Sequence, residues 1–384
     1  MRHGIILAAV SALLLMVASS DELPVFFTMG GSGGNGSLSQ AYSDIRSLAG
    51  RSSSDIWAVG IHRGPGPDES WIEHWDGVAW TKIAADPAGG HPDRLNGVAV
   101  TGASDAWSVG YSAGVDGFEE RALIEHWNGK GWAVADPGPY AGTVWNELDG
   151  VVALTRNDAW AVGYAKNWTA PARVLIEHWN GSEWKLVSAP SPGTGWNQLA
   201  AVSASGPNDI WAVGWQQSDG PMTPLIEHWD GRQWSEVPAP AGTGGGQLQA
   251  VLAVSPTLAF AVGSPGPGGS QRVLRWDGQR WSILPAPPRT QQVELWGISA
   301  ASPADVWLVG DRSFRNYGIV LEHWDGVAWT SVDAPGHVGG GQLTAALTIS
   351  SNDVWVAGTQ YSGQPLTLRE HWDGISWSVI ASPS

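Results

Sequence analysis

Cysteine is absent from all 384 residues. That excludes disulfides, thiolate metal sites, cysteine nucleophiles and a lipid-modified cysteine behind a leader. Basic residues are few, 20 Lys and Arg against 36 Asp and Glu, for a formal net charge of −16. Such a balance argues against nucleic acid and anionic membrane surfaces as partners. Bilayer-spanning runs are missing too. The apolar stretch Ile5 to Ala18 is too short to cross, and with Arg2 before it and Ala18, Ser19 and Ser20 after it, residues 1–20 read as a signal peptide. The rival reading is an N-terminal anchor helix. The expectation is a secreted or cell-surface protein, monomeric, with no membrane span in the mature chain. A helical hydrophobic period is also lacking.

What the chain has instead is tryptophan, 26 in all. Beyond Leu23 to Thr28, which is apolar enough for a strand, and a Gly/Ser-rich tether at 30–39, one unit recurs through residues 41–384. Its markers are His74-Trp75, His126-Trp127, His178-Trp179, His228-Trp229, Arg275-Trp276, His323-Trp324 and His371-Trp372, spaced 52, 52, 50, 47, 48 and 48 residues apart. Five residues after each marker tryptophan comes another (Trp80, Trp132, Trp184, Trp234, Trp281, Trp329, Trp377). Upstream lies a strand carrying Trp57, Trp107, Trp160, Trp211, Phe260, Trp307 or Trp355, with glycine three positions on, and a further apolar run precedes it. Four strands in each unit of about fifty residues predict an all-β, seven-bladed β-propeller with four antiparallel strands per blade.

An apolar strand, a tight turn, a strand ending in glycine, then an acidic and aromatic strand before a turn and tryptophan resembles the Kelch repeat and the central domain of galactose-oxidase-like proteins. The resemblance covers about residues 41–384. It departs in carrying Val59-Gly60 or Val213-Gly214 where Kelch repeats have a glycine pair, and in its shorter aromatic-to-tryptophan spacing. What it implies is a propeller fold and not an activity. Copper chemistry of the galactose oxidase kind uses a cysteine-linked tyrosine, which this chain cannot form. The Trp75-Asp76-Gly77-Val78-Ala79-Trp80 hairpin is similar to a motif of bacterial and fungal propeller lectins, and implies repeated sugar sites as an alternative.

Residues repeated in every unit read as scaffold. A buried tryptophan removes about 150–250 Å² from water, worth roughly 4–6 kcal/mol before entropy. The repeated Glu-His pairs, Glu227-His228 among them, point to opposite faces of a strand. They are expected to bond Glu to His between neighbouring units, because buried charge needs a partner. The aspartates ahead of the second strands, such as Asp209, suit a turn in which the side chain bonds the backbone.

The working face follows from length variation. Two turns per unit are constant, while the other two connections vary and fall at the opposite end of the strands. Trp145, Trp168, Trp196 and Trp215 lie there, with Tyr111 and Tyr164 at the place equivalent to Trp215; Trp145-Asn146-Glu147 and Trp196-Asn197-Gln198 enter neighbouring units at one register. A ring to stack and an amide or carboxylate to orient suit sugar or peptide recognition. The other reading is that these rings cover the unit tops. Trp71 reads as core and Trp296 as a channel residue. Asp116, Glu119, Glu120, Glu147 and Asp311 are loop carboxylates without a catalytic spacing, and Asp86, His91 and Asp93 make a thin case for a metal. The expectation is a non-catalytic binding propeller for a protein or glycan partner, with no cofactor and no metal, and with a multivalent lectin or a carbohydrate-active enzyme using loop carboxylates as alternatives.

Overall fold

The computed structural model describes residues 41–382 apart from 66–67, 86–92, 115–118, 139–142, 267–271, 285–292, 313–317 and 338. The expected leader, the Leu23–Thr28 stretch, the tether, Asp86, His91 and Asp116 lie outside the described residues. Among the described residues there are twenty-eight strands, four to a repeat, with one short 3-10 turn at Pro335–His337. In the fourth repeat they are Trp196–Gly206, Asp209–Gln217, Thr223–Trp229 and Trp234–Glu236, paired antiparallel in chain order.

Seven separate blades are not what the hydrogen bonding makes, and the seven-bladed expectation is corrected. The sheets number six, five of four strands and one of eight. The eight-stranded sheet is continuous because Glu120, opening the third strand of the second repeat, pairs in parallel with Trp145 at the start of the third repeat. The backbone N–H of Glu120 donates to the carbonyl of Val144 at 3.0 Å.

Each repeat lays its first strand beside the first strand of the next, and the last lies beside the first. At the closing seam Ser43 N–H donates to Thr367 Oγ1 at 2.8 Å, Thr367 Oγ1 donates back to the Ser43 carbonyl at 2.7 Å, and buried Arg369 pairs with buried Glu73.

Tryptophan fills the seams. The second-strand ring of one repeat sits 4.9–5.0 Å from the marker tryptophan of the next in five seams, as Trp211 does from Trp276 and Trp355 from Trp75. It meets the fourth-strand tryptophan edge-on, as Trp211 meets Trp281 at 5.1 Å and 88°. Offset and edge-to-face contacts favour such rings beyond the area they bury. At the same level each histidine lies under its own repeat's second-strand ring, with centroids 4.1–4.5 Å apart.

The expected Glu–His bonds between repeats do not form. Each of the six histidines instead places Nε2 2.7–2.9 Å from the aspartate that opens its own second strand, as His228 does with Asp209. Strand pairing decides this: Trp211 faces His228 across the ladder, which puts the imidazole two positions from Asp209 on the same face. The glutamates turn into the seams. Glu177 accepts from Gly138 N–H at 3.2 Å and Glu370 from Gly336 N–H at 2.7 Å.

The first strand of every repeat carries a bulge one residue after its leucine or isoleucine anchor, so that Arg46, Asn96, Asp149, Ala200, Gln249, Trp296 and Thr344 have no partner across the ladder. The bulge accounts for the repeated second-strand glycine. A Cβ on Gly163 would lie 1.9 Å from the Glu147 carbonyl oxygen, and the other six glycines are blocked in the same way at 1.8–2.1 Å.

Candidate binding site at the variable end

Register sorts the connections. The turn from first to second strand and the turn from third to fourth share one end, where Trp75 Nε1–H donates to the Ser53 carbonyl at 3.0 Å. The variable connections leave from the other end. There the first strand of the third repeat (Trp145–Thr155) sets Trp145 opposite Lys166 and Glu147 opposite Tyr164, while the fourth repeat sets Gln198 opposite Trp215.

Five of the expected aromatics come together. Trp145 and Trp168 meet edge-to-face at 4.4 Å, Trp196 and Trp215 stack at 5.8 Å and 5°, and Tyr164 lies 5.1 Å from Trp196. Trp168 is 66% exposed, whereas Tyr164, Trp196 and Trp215 are largely buried. Tyr111, one repeat away, is in none of these ring contacts; it has the Arg94 guanidinium 5.5 Å from its ring and feels the charges of Glu147 and Glu120.

The expected polar partners divide. Asn197 is consumed by its own loop: Oδ1 accepts from Gly193 N–H at 2.6 Å, and Nδ2 donates to the carbonyls of Ala172 at 2.9 Å and Gly193 at 2.8 Å. These bonds make it a staple of its loop. Asn146 is 4% exposed and its Oδ1 has no partner. Gln198 and Glu147, by contrast, enter a network the aromatics rest on. Trp196 Nε1–H donates to Gln198 Oε1 at 3.2 Å, and Gln198 Nε2–H donates to Asp149 Oδ2 at 2.8 Å. Arg46 donates to Asn96 Oδ1 at 2.5 Å, and Asn96 donates to Glu147 Oε1 at 3.0 Å. The Tyr164 hydroxyl donates to Glu120 Oε2 at 3.3 Å, and Tyr164 stands opposite Glu147 in the ladder.

Three carboxyls thus lie in one partly dehydrated cluster. Burial pushes Glu120 up to about 7, with the Glu147 charge adding to it. Burial raises Glu147 against the opposing pull of Arg46 and Asn96, and raises Asp149 well above the ordinary carboxylate range. Across the ring Glu294 is pushed up to about 7 by burial and by Asp311, which itself accepts from Trp296 Nε1–H at 2.5 Å. Glu119 is exposed and pairs with Arg121 at 3.1 Å. Trp71 is core, its Nε1–H 2.5 Å from Glu73 Oε1. No three His, Asp or Glu side chains are grouped to hold a metal among the described residues, and none of their helices is long and apolar enough to cross a membrane.

Arg46, Asn96, Asp149 and Lys166 were not singled out from sequence. The signal for the first three was present, since each follows a constant apolar anchor at a place where the repeats differ in chemical type.

No protein-family model matches the sequence and no curated protein matches it, so the Kelch and galactose-oxidase resemblance is not confirmed beyond the fold. Solved structures do match. YCF48 bound to a D1 peptide has a TM-score of 0.54 at 15% identity, over 89% of this chain and 97% of that one. A GH74 xyloglucanase from Xanthomonas campestris has a TM-score of 0.55 at 13% identity, over 85% of this chain and 54% of that one. The Aleuria aurantia lectin, described as a six-bladed β-propeller, reaches 0.44 at 13% identity, over 89% of this chain and 97% of that one. At these identities the likeness is one of fold, and it places the chain among β-propellers.

Proposed function

We propose that this chain is a secreted, non-catalytic binding propeller. It recognises a protein or glycan segment at the variable end of its second to fourth repeats. One observation carries the reading: Trp145 and Trp168 present aromatic surface, with Lys166 5.8 Å from the Trp145 ring, packed against Trp196, whose Nε1–H donates to Gln198 and through it reaches Asp149. An exposed ring supported from beneath by fixed polar groups is what a preorganised recognition surface requires. YCF48 has been determined with a peptide and the fungal lectins with fucosides, so propellers of similar fold accept both ligand classes. The repeated Trp-Asp-Gly hairpins favour one site over many. In five of them the Asp side chain already accepts from two backbone N–H groups of its own turn, as Asp230 does from Arg232 and Gln233.

The test is a peptide array and a glycan array probed with the mature chain. Hits are expected to be lost in Trp168→Ala and Trp145→Ala and kept in Val327→Ser at the opposite end. Hits indifferent to both tryptophans would remove the site.

A further inference from the structure

We infer that the aromatic cluster of the third and fourth repeats is a cation-accepting cage, and that its ligand is a peptide segment presenting a lysine or arginine side chain. The inference rests on the binding-propeller reading and narrows it to one partner chemistry.

The cage already holds an ammonium. Lys166 Nζ lies 4.5 Å from the ring centroid of Trp196 and 5.8 Å from that of Trp145. Both distances are within the range at which a cation is attracted to the negative face of an indole. Lys166 reaches this place from the end of its strand, where it sits opposite Trp145 in the ladder, and it is half-buried. Burial lowers its pKa, so the ring faces stand in place of some of its water.

Local charge points the same way. Tyr164 and Gln198 connect the rings to Glu120, Glu147 and Asp149, and the fixed cation hydrogen-bonded into that network is Arg46, which reaches it through Asn96. A neutral sugar would be served by rings and hydrogen-bonding groups alone. Rings that already accept an ammonium instead favour a cationic side chain. On this account Lys166 is a tethered occupant that an incoming basic residue displaces or joins, and its tether sets the affinity a free ligand must exceed.

The experiment is calorimetry with N-acetyl-trimethyllysine methylamide and N-acetyl-arginine methylamide, against the mature chain and Lys166→Met. Removing the resident ammonium is expected to tighten both cations by about tenfold, the scale of one partly desolvated cation–π contact. Trp196→Ala in the Lys166→Met background is expected to remove that gain. Thermal melts of each variant report whether the fold is intact. If Lys166→Met leaves cation affinity unchanged or weaker, the cage inference fails. If array hits that depend on Trp168 prove to be neutral oligosaccharides bound equally by the parent and Lys166→Met, it fails while the binding-propeller reading stands. Loss of Trp168 dependence itself would instead overturn that reading.

Discussion

The two ends of each repeat are made of the same strands and obey different rules. At the end with the constant turns, three recurring polar groups pair within their own repeat: histidine with its own aspartate, marker tryptophan N–H with a turn carbonyl, turn aspartate with two backbone N–H groups. At the variable end the bulge residue and the residue two before it change type from repeat to repeat, and several of them bond to other repeats. Arg46 to Asn96 and Asn96 to Glu147 cross two seams in succession. Local pairing makes a unit that can be copied, whereas pairing between units makes a surface that exists once. The first end therefore carries stability, and the second is where we propose that recognition takes place.

The largest expected effect tests the first half of that contrast. Trp211 is 0% exposed and bridges two repeats through Trp276 and Trp281. Trp211→Ala is expected to cost about 3–5 kcal/mol in urea denaturation, while array hits at low temperature are retained. Hits lost along with the stability would mean that the two ends are not separable.

Glycine at the end of the second strand joins the two regimes, because it is constant in sequence yet exists to admit the variable bulge. Ala at Gly163 or at Gly263 meets a carbonyl oxygen at 1.9 or 2.1 Å. Both substitutions are expected to lower stability by about 1–3 kcal/mol through overpacking. Only Gly163→Ala displaces Glu147, so binding should fall there and persist in Gly263→Ala. Equal binding in the two would detach the bulge of the third repeat from the site.

This also marks how far the sequence could be read. Repetition announced the strands, both constant turns and the end to which the variable connections fall, because each of these follows from a local pattern copied many times. It could not announce which residues touch across seams. The histidines were matched with glutamates because both are buried, but the ladder places them by aspartates. The sheet count came out as six because a single parallel pairing at Trp145 fuses two repeats, an event with no trace in either repeat alone. Asn197 looked like a ligand group through its resemblance to Asn146, yet it closes its own loop. Lys166 was passed over because nothing in one strand tells where a lysine at its end will fold back.

A smaller effect concerns a seam where local pairing fails. Glu227 is 0% exposed, neither carboxyl oxygen has a partner, and burial together with Glu236 pushes it up to about 8 from an ordinary 4.5. The folded chain therefore binds more protons than the unfolded chain between those values. The proton on Glu227 favours the fold at low pH, and stability falls as pH rises from 4.5 through about 8. Glu227→Gln is expected to flatten that fall, gaining about 1–2 kcal/mol at pH 9 and little at pH 5 by urea denaturation. The matching change at Glu370, whose carboxylate accepts from Gly336 N–H, is expected to destabilise instead. A gain at both positions would mean that the seam glutamates are uniformly unfavourable and that the backbone donor is immaterial.

The smallest expected change in stability is the sharpest test of the division. Trp168 is two-thirds exposed, follows a loop asparagine whose Oδ1 already accepts from Thr169 and Ala170, and touches Trp145 by one edge. Removing its ring uncovers part of Trp145 and leaves no cavity, so Trp168→Ala is expected to shift unfolding by no more than about 0.5 kcal/mol. An exposed indole kept in place without a stability role is retained for contact with something else, and array hits should weaken by at least about tenfold, the scale of one well-placed aromatic contact. A large loss of stability with binding preserved would make Trp168 a lid over the repeat tops, and the variable end would then follow the same rule as the constant one.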